Sequence, residues 1–454
     1  MNETNRTQST TRVLIIVACI LLCIALAVGA ILLFGGKNEM PEKDELRATL
    51  EEKDLSSYSN VTSALAATGL VFDKQDVRDV ELVYKYYYYK DTPPVGEHAR
   101  SIVNLFLDNF YDTIDISDKD AVTTALLKCY TASVGDPYSF YYTPEEYQEY
   151  LSGLTGETAK VGIGVVVHAD YLDVSITITA VLPGSPAEAA GVKKGDSVIA
   201  VDGVKIKDVG VDAILDAVAG EVGTEVTLTV LRDGEELTLT ATRNTFTDVT
   251  VTYEMLEGSI GYVQVIQFKE NTPDQFKKAV DKLVNEGAVG MIFDMRSNPG
   301  GLLDAVVEMI DYIAPDGQRI ASFTMGKSNT TVFTSDDGHS LDLPITVLCN
   351  GSTASAGELF TAAMRDYGDW GVMKVSIVGT TTYKKGVMQT SYNLSGGTAI
   401  KLTVAFYNPP CNINYDGVGV VPNLTVEHES GKDVQLDAAI TEIQRMLTEL
   451  GSGL

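Results

Sequence analysis

The chain has 454 residues, a formal net charge of -28, five cysteines and four histidines. That length leaves room for about two or three domains with cores of their own. The charge argues against nucleic acid as a partner, because a phosphate backbone calls for a basic surface. Cys19, Cys23, Cys129, Cys349 and Cys411 show no CxxC spacing, and His98, His168, His339 and His428 show no HExxH. No disulfide framework, metal site or cofactor is expected.

Residues 13–34, VLIIVACILLCIALAVGAILLF, carry no charge. At about 1.5 Å per residue they span roughly 33 Å, enough to cross a bilayer. A removable signal has a shorter apolar core, so an uncleaved transmembrane helix is predicted. Arg6 and Arg12 place residues 1–12 as a cytoplasmic tail, with the body outside a single-pass cell membrane anchor. Residues 35–75 are predicted to form a polar stalk or linker, in which the charge-rich PEKDELRATLEEKDL reads as a solvated helix or stalk. Residues 76–158 follow as a helical, aromatic region whose VYKYYYYK run reads as packing surface.

Residues 159–245 change character. Short β-branched runs such as VGIGVVVHA, VSITITAVL and EVTLTVLRDG are separated by turn residues, with one helical segment, VDAILDAVAG. These predict a small β-rich domain. Asp233-Gly234 between two alternating runs is a hairpin signal. Residues 246–430 then alternate strands with helices: SIGYVQVIQF, TPDQFKKAVDKLVNEG, VGMIFDMR, LLDAVVEMIDYI, PITVLCN and GSTASAGELFTAAMRDYG. That βαβ rhythm predicts a mostly parallel sheet with helical cover. Residues 431–454 close the chain with a C-terminal helix.

Within the β-rich domain, Gly162, Ile163 and Gly164 precede a strand. Glycines there let backbone N–H groups converge on a carboxylate, and a strand edge beside them accepts an extended peptide. With GSPA at Gly184 to Ala187 and the Lys194-Gly195-Asp196 turn, residues 159–245 resemble a PDZ domain. The resemblance implies capture of protein or peptide partners by an accessible C-terminus, preferably with apolar last residues.

Ser355 stands where a strand gives way to a helix. Free N–H groups and the positive dipole end there suit a developing oxyanion, although a lone serine at a helix start is usually a cap. The Ala356 N–H is one candidate donor. Asn298-Pro299-Gly300-Gly301, at another strand-to-helix turn, offers Gly300 and Gly301 as sources of a second. No histidine lies in a motif beside a serine, whereas TYKKGVMQ supplies a lysine. A lysine of ordinary pKa, about 10.4, pays roughly 4.6 kcal/mol to reach its neutral form at pH 7. A partly desolvated site lowers that cost, and a pKa of about 8 leaves roughly 1.4 kcal/mol. Lys384 and Lys385 are adjacent, so on a strand only one of them faces Ser355, and Gly386 favours Lys385. On a regular strand, Gln389 would share the Lys385 face and orient its ammonium.

The body from about residue 100 to 430 resembles the carboxyl-terminal processing peptidases, also called tail-specific proteases. The matching motifs run in order: GDPYSFYYTPEEYQEYLSG, the PDZ module, FDMRSNPGGLLDAVV, TASAGELFTAAMRDYG, YKKGVMQ, AIKLTVAFYNPP and GVGVVPN. The resemblance implies a multidomain α/β chain with a crotonase/ClpP-like core. It implies a serine-type endopeptidase with a Ser355–Lys385 dyad or a triad with Gln389, and an oxyanion hole of backbone amides. Lys384 where glycine is more usual, and Asn423 where aspartate is usual, depart from the pattern. Two other functions stay open: a catalytically silent membrane-anchored PDZ scaffold, and an acyl-CoA enzyme of the crotonase type. A homo-oligomer is open as well.

Overall fold

The computed structural model describes residues 40–155, 160–170, 174–182, 184–246, 249–325 and 330–451. The predicted membrane span, 13–34, lies outside them. Among the described residues no helix is long and apolar enough to cross a membrane. The chain divides into two compact units, and the described part of the first comprises residues 40–86, 90–141 and 392–401.

The first unit is helical: α1 (Lys43–Glu52), α2 (Val61–Ala67), α3 (Lys74–Tyr87), α4 (Val95–Asn109) and α5 (Lys119–Ser133). The expected helix is present in α1, but it is not solvated on every side. Leu46 and Leu50, four residues apart on α1, are buried, as are Leu55, Leu65, Leu70 and Phe72. The apolar stripe at helical spacing outweighs the charges, which occupy the solvent side. Asn60 and Asp118 cap α2 and α5, accepting from the amides of Ser63 and of Asp120 and Ala121.

The second unit begins with α6 (Pro144–Thr155) and continues into a β-rich domain. Its strands β1 (Val165–Asp170), β2 (Ser175–Val181), β3 (Ser197–Val201), β4 (Glu225–Arg232) and β5 (Glu235–Thr242) form one antiparallel sheet in chain order, with β1 at the edge. Helix α7 (Val211–Val218) packs Val211 and Ile214 into its core with Ile176, Ile178 and Leu228. The predicted hairpin is present: Arg232 pairs with Glu235, and Asp233 and Gly234 have φ of 52° and 84°. Two left-handed residues give the turn whose twist matches the strands.

The remaining sheet has the order β6 (Val251–Leu256), β7 (Ile260–Val265), β8 (Gly290–Asp294), β11 (Ile345–Cys349), β12 (Val375–Gly379) and β15 (Leu424–Thr425). Only the β6–β7 pair is antiparallel. All five residues of β8 and of β11 are buried, as strands covered on both faces require. Met291, Phe293, Ile345 and Val347 face the helices α8 (Thr272–Asn285), α9 (Leu303–Ile313) and α10 (Ala356–Asp369) in one core. Ile292, Leu348 and Val378 face the closing helix α11 (Val434–Gly451) through Ala439, Ile443 and Met446. Period-two alternation thus assigns each side chain to a layer. A second sheet contains β9 (Arg319–Thr324), β10 (Thr330–Thr334), β13 (Val387–Asn393) and β14 (Ala399–Asn408).

Candidate active site

Ser355 sits between β11 and α10, as the N-cap of α10, with φ 55° and ψ -117°. A non-glycine residue in this left-handed region stores roughly 1–3 kcal/mol of strain. Such strain persists only where the surroundings enforce it, and here they can be named. Ala354 N–H donates to Asn298 O at 2.9 Å, tying the serine loop to the NPGG turn. Asn298 is buried and donates from Nδ2 to Val265 O at 2.8 Å. Gly300, at φ 97°, lies so close that a Cβ on it would stand 2.7 Å from Ser355 Cβ. A Cβ on Gly301 would meet Phe268 O at 1.9 Å. The glycines are there for close approach as much as for their amides.

That changes the expected oxyanion donors. The Gly300 N–H donates to Asn298 Oδ1 at 2.8 Å, so the side chain of the same turn has taken it. The Ser355 N–H is also occupied, donating to Glu358 Oε2 at 3.0 Å. Ala356 opens the helix directly after the serine.

Glu358 is the residue that sequence reasoning missed. It is fully buried, one turn into α10. Its Oε2 accepts from Ser355 N–H and from Lys385 N–H, the latter at 2.7 Å. Its Oε1 accepts from Lys384 N–H at 2.7 Å and from Thr382 Oγ1 at 2.5 Å. Four donors on two oxygens fill the capacity of an ionised carboxylate. One side chain therefore fixes the backbone of both the serine and the lysine loops. The signal was legible: a serine followed three residues later by glutamate at a helix start.

Both lysines lie in the segment 381–386, ahead of β13, and Lys384 has φ 86°. The expected strand register therefore does not apply: this is a loop, and Lys385 shares no strand face with Gln389. Lys384 is exposed whereas Lys385 is half-buried. Tyr383 N–H donates to Thr353 O at 2.9 Å, a second tie to the serine loop. Gln389 lies on β13, and its Nε2 donates at 3.3 Å to Val387 O and to Thr403 Oγ1.

Two tyrosines complete the cluster. Tyr407 O–H reaches Lys385 O at 3.1 Å and Ser355 Oγ at 3.4 Å. Tyr415 O–H reaches Ser355 O at 3.4 Å, and the two rings meet edge to face with centroids 5.9 Å apart. Burial pushes both phenols above the ordinary tyrosine pKa, so both are donors at neutral pH.

In the β-rich domain, Gly162, Ile163 and Gly164 edge a cavity of about 380 Å³. Its walls include Val165 and Val167 of β1 and Ile214, Leu215 and Val218 of α7. It is an apolar groove between an edge strand and a helix.

Residues 259–426 match peptidase family S41, and residues 154–231 match the PDZ domain. A probable CtpA-like serine protease of Staphylococcus aureus strain COL is 32% identical over 312 residues, 68% of this chain and 61% of that protein. Its counterpart in Staphylococcus epidermidis is 32% identical over 309 residues, again 68% of this chain and 61% of the relative. The chain thus spans about 61% of the length of these relatives. The crystal structure of a putative S41 protease from Bacteroides fragilis shares the fold, with a TM-score of 0.54 at 19% identity, covering 81% of this chain and 97% of that one. A PDZ domain at residues 154–231 thus stands ahead of a peptidase family S41 core at residues 259–426.

Proposed function

We propose that the protein is a serine endopeptidase that acts on protein or peptide chains presenting an accessible C-terminus. Ser355 Oγ attacks the scissile carbonyl, Lys385 takes the proton and returns it to the leaving amine, and the developing oxyanion is met by the Ala356 N–H. The observation that supports this reading is the Glu358 clamp, which binds the backbone amides of Ser355 and Lys385 with a single carboxylate oxygen. Gln389 acts on the lysine from β13 in this reading, and Lys384 takes no part.

The substrate tail adds to β1 as a further strand, with its last apolar side chain in the groove lined by Val165, Val167 and Leu215. Residues 13–34 anchor the protein in the cell membrane with the body outside.

The experiment is hydrolysis of a reporter peptide with a free apolar C-terminus by wild type, Ser355→Ala, Lys385→Ala and Lys384→Ala. Only wild type and Lys384→Ala are expected to cleave. Amidating the reporter's C-terminus should weaken cleavage. Full activity in Ser355→Ala ends the proposal, and peptide binding without turnover in the wild type marks a scaffold instead.

A further inference from the structure

We infer that Tyr407 is a further catalytic residue: its phenolic O–H donates to Ser355 Oγ and stabilises the charge that builds there as the proton leaves for Lys385. The inference rests on the peptidase reading above and extends it. Tyr407 comes from β14, an element distant in sequence from both the serine and the lysine loops, and its ring is almost wholly buried. A buried hydroxyl needs a partner, and this one has two acceptors for a single proton. Lys385 O stands at 3.1 Å and Ser355 Oγ at 3.4 Å.

The two acceptors differ in what happens to them during reaction. The Lys385 carbonyl keeps its charge throughout. Ser355 Oγ gains negative charge as its proton passes to the lysine amine, and again when the acyl group leaves it. A small rotation about the phenol C–O bond therefore swings the Tyr407 O–H from the shorter resting contact to the stronger acceptor. The proton balance is closed: Oγ–H is given up to the Lys385 amine, and Tyr407 keeps its own proton. Burial keeps that phenol protonated, which makes it a donor and excludes it as a base.

The backbone amides nearest to Ser355 strengthen the case. Ser355 N–H is held by Glu358, and Gly300 N–H by Asn298. Two groups that would otherwise be available for developing charge are engaged. Tyr407 O–H, by contrast, is a side-chain donor within reach of Oγ itself. Tyr415 supports it, with its O–H on Ser355 O and its ring against the Tyr407 edge.

The test compares full-length wild type, Ser355→Ala and Tyr407→Phe, reading kcat and KM on a reporter peptide, the labelling rate with a fluorophosphonate, and Tm. Tyr407→Phe is expected to lose about 100-fold in kcat, the scale of one donor to developing charge. The labelling rate should fall in parallel, while KM stays within about twofold and Tm within a few degrees. Site-specific 3-fluorotyrosine at 407, a stronger donor of nearly the same shape, should retain activity and serves if the phenylalanine variant folds poorly. An active wild type with an equally active Tyr407→Phe overturns the catalytic assignment alone. So does a loss that tracks Tm and leaves labelling of the folded fraction unchanged. A wild type no more active than Ser355→Ala overturns the peptidase reading, and this assignment with it.

Discussion

Glu358 offers a graded perturbation, because its four donors are not equivalent. In Glu358→Gln one carboxylate oxygen becomes an NH₂ group. Placed at Oε1, that group faces Thr382 Oγ1, which can turn and accept, and Lys384 N–H, which cannot. Placed at Oε2, it faces two backbone N–H groups, those of Ser355 and Lys385. The first orientation is the better one: it leaves the Lys384 amide unpaired, at roughly 1–3 kcal/mol, and turns away the proton of a Thr382 hydroxyl that already accepts from Val420 N–H. Glu358→Leu leaves all four donors without their acceptor, and a cost of roughly 3–6 kcal/mol follows after local relaxation. The strained Ser355 conformation then loses the bond that holds it. Amide hydrogen exchange checks this directly. In the glutamine variant, protection should fall at Lys384 and persist at Ser355 and Lys385. In the leucine variant it should fall at all three, with fluorophosphonate labelling reduced about 100-fold or more. Equal protection and equal labelling in wild type and Glu358→Leu would refute the clamp.

Four further outcomes are expected. Gly300→Ala brings a Cβ to 2.7 Å from Ser355 Cβ at a backbone φ of 97°, so labelling and hydrolysis should both collapse; an active variant would show that the turn is not packed on Ser355. Gly234→Ala strains the PDZ hairpin at φ 84° and should cost about 1 kcal/mol in urea unfolding while leaving the labelling rate unchanged. Leu215→Glu puts a charge into the apolar groove and should weaken binding of a free-carboxylate peptide about tenfold or more by fluorescence anisotropy, with labelling of Ser355 intact. His98 supplies the pH dependence. Burial lowers its pKa from 6.5 to about 4 in the folded helical unit. The unfolded chain therefore binds the extra proton first, so stability is full above pH 6.5 and falls as the pH drops towards 4. The total loss is about 3 kcal/mol. His98→Phe should flatten that slope in urea titrations between pH 7 and 4, and an unchanged slope would reject the assignment.

Much of this protein can be read from local pattern. Strands buried on both faces announce themselves as unbroken apolar runs, as in VGMIFDMR and PITVLCN, and the core follows from their alternation with helices. Asp233-Gly234 announces a hairpin because few residue pairs accept two left-handed conformations. Ser355, the NPGG turn and YKKGVMQ could be nominated because each is short and local, and because they resemble a known order of motifs. What depended on tertiary structure is how these pieces meet. The charge of 41–55 is compatible with a solvated helix, and only packing shows that Leu46 and Leu50 turn one side of it inward. Strand register does not govern Lys384 and Lys385, because the strand starts at Val387, after both of them. Glu358 carries a local helix-start signal, but its hold on Lys384 and Lys385, like the approach of Tyr407 to Ser355, exists only once residues tens of positions apart arrive within 3.5 Å. Gly300 was chosen for its amide, and the folded chain directs that amide to Asn298 and uses the missing side chain instead. Sequence carries the chemistry of each group, but the partners that aim it are set by long-range contacts that local pattern does not encode.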